Sequence, residues 1–264
     1  MEENYQAYLN RVARLTLPET HETQLQNIQE SPKYRLHQSG ERKPVPFPGY
    51  TVITPTRPED SANEPFYKFC QDYQQQLVDQ LHSDLIVPVS PESFHLTLAD
   101  LIWESAFLAR SRDADFESNL RGKIGEIFTE HQQKNPPDKP LAWQPMGFFL
   151  RPRALGICLV PKDEVTYERL LELRRSIYQN PDLIALGIEQ HYHFTAHVTL
   201  AYFGDISEAT KNDRQRLYHL LTDLGNQWLE IDIPELTVSQ GELRKFDDMT
   251  NYYRSPDWPV IRFS

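Results

Sequence analysis

Cysteine is close to absent from this 264-residue chain, which has only Cys70 and Cys158. Two thiols in a chain of this length cannot build a disulfide framework or by themselves hold a zinc ion, so both are expected reduced and buried. Basic residues are also in short supply: 27 Lys and Arg against 38 Asp and Glu leave a net charge of −11. Gripping long nucleic acid takes many phosphate contacts from a basic surface, so long polyanions are not expected partners. A small anionic ligand held by a few local groups remains open. Long apolar runs are missing too. Stretches such as Gly156 to Val160 fall far short of a bilayer span, so no membrane association is expected. The first ten residues, MEENYQAYLN, carry acidic groups where a secretory signal carries basic ones, and no apolar stretch follows, which points to a cytoplasmic location.

What is present is an ordinary globular composition, 39% hydrophobic and 25% charged, in a chain long enough to bury a sizeable core. Residues 1 to about 45 hold one amphipathic helix, with Tyr5, Tyr8, Leu9, Val12 and Leu15 at helical spacing, and then a polar stretch ending in SGERKP. This segment reads as an arm packed on a main body of residues 46–264. In the body, Tyr50 to Thr54 reads as a strand, 62 to 83 as a helix, "FHLTLADLIW" as a strand, 113 to 133 as a helix and "AWQPMGFFLRPR" as strand. The order then recurs: strand "LGICLVP", helix 163 to 179, strand "FTAHVTLAYFG", helix 207 to 225, and strands near "IDIPELTVSQ" and "ELRKF". Thr51 precedes His95 by nearly as many positions as Gly156 precedes His197, so an internal duplication is the economical reading.

The repeat carries a repeated motif. Phe94-His95-Leu96-Thr97-Leu98 and Ala196-His197-Val198-Thr199-Leu200 share the pattern His, hydrophobe, Thr, hydrophobe. In a strand, residues two apart point the same way, so the imidazole and hydroxyl of each motif can touch one ligand while the hydrophobes anchor the strand. Brought together, two His and two Thr suit a phosphate: the threonines can donate to its non-bridging oxygens, and the histidines can serve as general base and general acid. His193-Phe194-Thr195 offers a competing register, but it ends in Ala196, whereas Val198 and Leu200 complete the pattern of Leu96 and Leu98. His193 is left as a supporting group.

These paired motifs, with "PFPGYTVI", "VPVSPESFHLTLADL" and "FTAHVTLAYFG", resemble the two-histidine (2H) phosphoesterase superfamily, in particular a bacterial branch known mainly as a domain of unknown function. The resemblance covers about residues 45 to 254. It implies an α+β, two-lobed, pseudo-twofold domain in which each lobe is an antiparallel sheet backed by helices, with the site in the cleft between. It also implies a metal-independent, cofactor-free phosphodiesterase acting on a 2′,3′-cyclic or related phosphodiester of a nucleotide or short oligonucleotide. His95 and His197 would then be the catalytic pair, and Thr97 and Thr199 the phosphate anchors.

Other residues are weighed by strand parity. Phe203 has the parity of the motif face and is a candidate to stack on a base or sugar, whereas Tyr202 falls on the core side unless the strand is bulged. Arg151 and Arg153 share a strand face and could neutralise a phosphate. Asp100 and Glu104 read as a solvated loop or helix start, and Tyr252 and Tyr253 carry no assigned role. Two alternatives stand beside the phosphodiesterase: a metal-dependent hydrolase using His191, His193 and His197 with Glu189, and a nucleotide-binding module without turnover.

Overall fold

A computed structural model describes residues 3–81, 84–207 and 210–264. It holds eight α-helices and twelve strands among the described residues: α1 (Tyr5–Leu15), α2 (Pro18–Leu25), β1 (Tyr34–Leu36), β2 (Arg42–Pro44), β3 (Gly49–Ile53), α3 (Glu64–Gln80), β4 (Ile86–Pro88), β5 (Thr97–Trp103), α4 (Glu104–Arg110), α5 (Phe116–Lys134), β6 (Leu141–Arg151), β7 (Ala154–Pro161), α6 (Glu164–Tyr178), α7 (Pro181–Ala185), β8 (His197–Phe203), α8 (Lys211–Gln227), β9 (Leu236–Val238), β10 (Gln240–Phe246), β11 (Tyr252–Tyr253) and β12 (Val260–Arg262). The ends of the expected helices at 82–83 and 208–209 lie outside the described residues. Helix α4 begins directly at the end of β5, with Glu104 at the helix start that was one of its two expected settings.

The architecture is α+β and two-lobed. One antiparallel sheet runs β11-β10-β3-β5, with β12 also on β10; the other runs β4-β8-β7-β6-β9. The two halves of the sequence are not the two lobes. Strand β4, from the first half, pairs with β8, while β10 to β12, at the far end of the chain, complete the sheet of β3 and β5. Helices are exchanged in the same way: α3 packs against β8, and α6 against β5. One apolar core serves both lobes and includes Tyr8 and Val12 of the arm, with Cys70 and Cys158 free and buried in it. Among the described residues no helix is long and apolar enough to cross a membrane.

Both motif strands bulge at the same place. In β5 the partners of β3 step from Ala99 to Thr97, skipping Leu98; in β8 the partners of β7 step from Ala201 to Thr199, skipping Leu200. A bulged residue leaves its carbonyl outside the ladder, and a buried carbonyl needs a donor. Each receives one from the exchanged helix: Gln74 Nε2 of α3 donates to Leu200 O (2.7 Å), which also accepts from Val89 N–H (3.0 Å), and Arg174 Nη1 of α6 donates to Leu98 O (2.5 Å). Opposite the second bulge stands Gly156, where a Cβ would lie 2.4 Å from Val198 O. Only glycine lets β7 approach that closely.

Candidate active site

Each motif histidine sits at the mouth of its strand rather than within it. Strand β5 starts at Thr97 and β8 at His197, so the expected strand from Phe194 is corrected: 194–196 is irregular chain. That stretch is rich in strand formers, yet its bonding is taken by the arm. Ala196 N–H donates to the Tyr8 hydroxyl (3.1 Å), which itself donates to Leu159 O (2.9 Å), and Arg11 donates to Thr195 Oγ1 (2.8 Å) and to Phe194 O (2.5 Å). Ala196 N–H and Phe194 O are thus satisfied by the arm, while Ala196 O accepts from Leu159 N–H of β7 (2.9 Å).

The motif hydrophobes Leu96, Leu98, Val198 and Leu200 are fully buried, each contributing roughly 1.5–3 kcal/mol of anchorage. The alternate residues His95, Thr97, His197 and Thr199 are half-buried and all line one cleft of about 320 Å³. Its wall is completed by Lys33, Phe47, Asp100, Trp103, Tyr192, Tyr202 and Tyr252, among others.

The two imidazoles are held identically. His95 Nδ1 lies 2.7 Å from Ser93 O, and His197 Nδ1 lies 2.7 Å from Thr195 O, in each case the carbonyl two residues earlier. A carbonyl only accepts, so Nδ1 carries the proton in both rings and Nε2 is the nitrogen left to exchange one. Each ring also rests on an aromatic: Tyr252 at 4.4 Å between centroids for His95, Phe149 at 5.0 Å for His197. Burial pushes the pKa of His95 down to about 4, and nearby His197 adds to the shift. Burial lowers that of His197 as well, helped by the positive charges of Arg151 and Lys33.

The bulges reassign the residues beyond the threonines. Strict alternation would send Phe203 to the cleft and Tyr202 to the core; with Leu200 bulged, Tyr202 lines the cleft and Phe203 is buried in the core. The stacking role expected of Phe203 is thereby corrected. Asp100 stands to Thr97 as Tyr202 stands to Thr199, and it too lines the cleft instead of a solvated loop. Glu104 begins α4, its N–H donating to Pro48 O (2.7 Å). Tyr252, unassigned from sequence, is brought to His95 by β11, and Lys33 is brought in by the arm; neither has a local sequence signal. Both arginines are exposed and lie outside the cleft lining: Arg151 reaches Thr195 Oγ1 (3.3 Å), two residues before His197, and Arg153 stands in the turn after β6.

The metal alternative also meets a geometric correction. His191 and His193 are exposed in the irregular stretch before β8, and His191 packs edge-on against Trp103 at 5.0 Å. Among the described residues, no three His, Cys, Asp or Glu side chains gather as a metal ligand set. The same stretch instead ties the lobes together, with the Tyr192 hydroxyl donating to the Asp100 carboxylate.

No family model and no curated protein matches the sequence. Among solved structures the chain is similar to a phosphoesterase (16% identity, 83% of this chain and 99% of that one, TM-score 0.41) and to E. coli LigT complexed with 3′-AMP (16% identity, 80% and 95%, TM-score 0.42). It is also similar to a conserved protein of unknown function from Agrobacterium tumefaciens (16% identity, 84% of this chain and 88% of that one, TM-score 0.56), with which it shares a fold. In its paired motifs the chain resembles the two-histidine phosphoesterases.

Proposed function

We propose that this chain is a phosphodiesterase that opens a 2′,3′-cyclic phosphate or cleaves a short nucleotide phosphodiester, without a metal or other cofactor, in a cytoplasmic setting. The observation that supports it is the convergence of His95, Thr97, His197 and Thr199 on one cleft, with both rings fixed at Nδ1 by the same backbone contact. In the reaction, the neutral histidine takes a proton from water through Nε2 as the new O–P bond forms, and the protonated histidine gives one to the departing oxygen as the old P–O bond breaks. Hydroxyl donors from Thr97 and Thr199 hold the phosphoryl oxygens as charge builds on them.

The test is turnover of a panel of cyclic and linear diesters by the wild type and by His95→Ala and His197→Ala, with circular dichroism as the folding control. Each substitution should lower kcat/KM by about 100- to 10,000-fold, the usual contribution of a general acid or base. Activity should persist in EDTA. Loss in EDTA with recovery on adding zinc would overturn the metal-free mechanism, and tight binding of a 2′- or 3′-phosphate with no turnover would leave a binding module.

A further inference from the structure

Lys33 belongs to the arm, far in sequence from either motif, yet its side chain forms part of the cleft wall. Among the described residues lining the cleft it is the only lysine or arginine. Its ammonium lies over the rings of Phe47 (4.7 Å) and Tyr202 (4.9 Å) and donates to the Tyr202 hydroxyl (3.2 Å). Among the described residues it pairs with no carboxylate, whereas Lys68, Lys123, Lys139, Lys162 and Lys245 all do. Its position is set by backbone. Ser31 N–H donates to Phe203 O (2.9 Å), pinning the segment to the end of β8, and Val45 N–H donates to Lys33 O (3.0 Å). Tyr202, its partner, faces the cleft because of the Leu200 bulge. A half-buried cation flanked by two aromatic rings, close enough to His197 to disfavour its protonation and without an acidic partner among the described residues, is suited to an anion in a protein of net charge −11.

We infer that Lys33 is a catalytic residue whose ammonium contacts the phosphoryl oxygens on the His197 side of the cleft. The inference rests on the phosphodiesterase reading for its chemistry. A diester carries one negative charge, and attack by water with proton transfer to a histidine puts a second on the phosphoryl group in the transition state; that charge leaves on the departing oxygen, which the other histidine protonates, so the monoester forms as a monoanion. A fixed cation therefore binds the transition state more tightly than the substrate. The arm, on this account, completes the site.

The experiment compares wild type, Lys33→Met and Lys33→Arg for turnover of a 2′,3′-cyclic nucleotide and, separately, for binding of inorganic phosphate by calorimetry. Lys33→Met should lower kcat by about 10- to 100-fold with a smaller change in KM, less than the loss of a fully buried oxyanion donor, and Lys33→Arg should recover most of it. Phosphate should bind Lys33→Met about 10-fold more weakly. In the wild-type chain, phosphate should also protect Lys33 from acetylation, read by mass spectrometry, which settles the matter even where Lys33→Met does not fold. Unchanged kcat and phosphate affinity in Lys33→Met, a lowered Tm alone, or no protection of Lys33 would overturn the proposal. If the wild type turns over no diester, the phosphodiesterase reading fails by itself, and phosphate binding and protection still decide whether Lys33 holds a phosphoryl group.

Discussion

The strands that present His95 and His197 are alike at the reacting atoms and unlike in what supports them. Both rings spend Nδ1 on the carbonyl two residues back, both threonines follow two residues later, and both strands bulge at the next residue. Behind them the parallel ends. The His95 motif is held by its own lobe, with Leu96 N–H donating to Thr54 Oγ1 (2.9 Å) and Thr54 N–H to Leu96 O (3.0 Å). The His197 motif pairs with β7 of its own lobe and is held in addition by the arm, through Tyr8 and Arg11. One bulge is braced by the neutral amide of Gln74, the other by the cationic guanidinium of Arg174. Duplicated chemistry at the centre tolerates unrelated scaffolding outside it. The asymmetry gives the two histidines different electrostatic surroundings, which an acid and a base require.

The largest expected effect tests the likeness itself: His95→Ala and His197→Ala should each cost about 100-fold or more in kcat/KM, and a variant keeping a tenth of wild-type turnover would break the pairing of roles. Next come the braces. Arg174→Met strips a charged donor from Leu98 O and should lower stability by about 1.5–3 kcal/mol, while Gln74→Leu, which also frees Val89 O, should cost about 1–3 kcal/mol; urea denaturation reads both. Equal and negligible costs would mean that the bulges hold without them. The pH dependence separates the histidines more gently. His95 titrates near 4 when folded and near 6.5 when unfolded, so the unfolded chain binds the extra proton between those values and stability falls as pH drops through that window. His95→Gln should flatten the fall in Tm, leaving what the similarly depressed His21, His131 and His197 contribute. An unchanged slope would remove His95 from the account. Smallest is Arg153→Ala, which should leave turnover intact and shift stability by no more than about 0.5 kcal/mol.

The four motif residues were legible because their signal is local: spacing of two, alternating with hydrophobes, occurring twice. What lay beyond the threonines was not, because a bulge is a property of strand pairing and one skipped residue exchanges the faces of everything after it. The faces of Tyr202 and Phe203 are exchanged for that single reason, and Asp100, expected in a loop or helix start, lies within β5. The start of β8 was set too early because Phe194 and Thr195 have strand-like composition, while the groups that occupy their backbone and side chains come from Tyr8 and Arg11, remote in sequence. Lys33 and Tyr252 reach the cleft from opposite ends of the chain, a juxtaposition only the folded topology reveals.

The crossing of β4 into the sheet of β8, and the return of β10 to the sheet of β3, stitch the molecule shut. A protein divided in the loop between α5 and β6 would yield two fragments, each lacking strands lodged in the other's sheet. Such fragments should regain shape only when mixed, behaving as obligate complements rather than as two self-sufficient beads on a string.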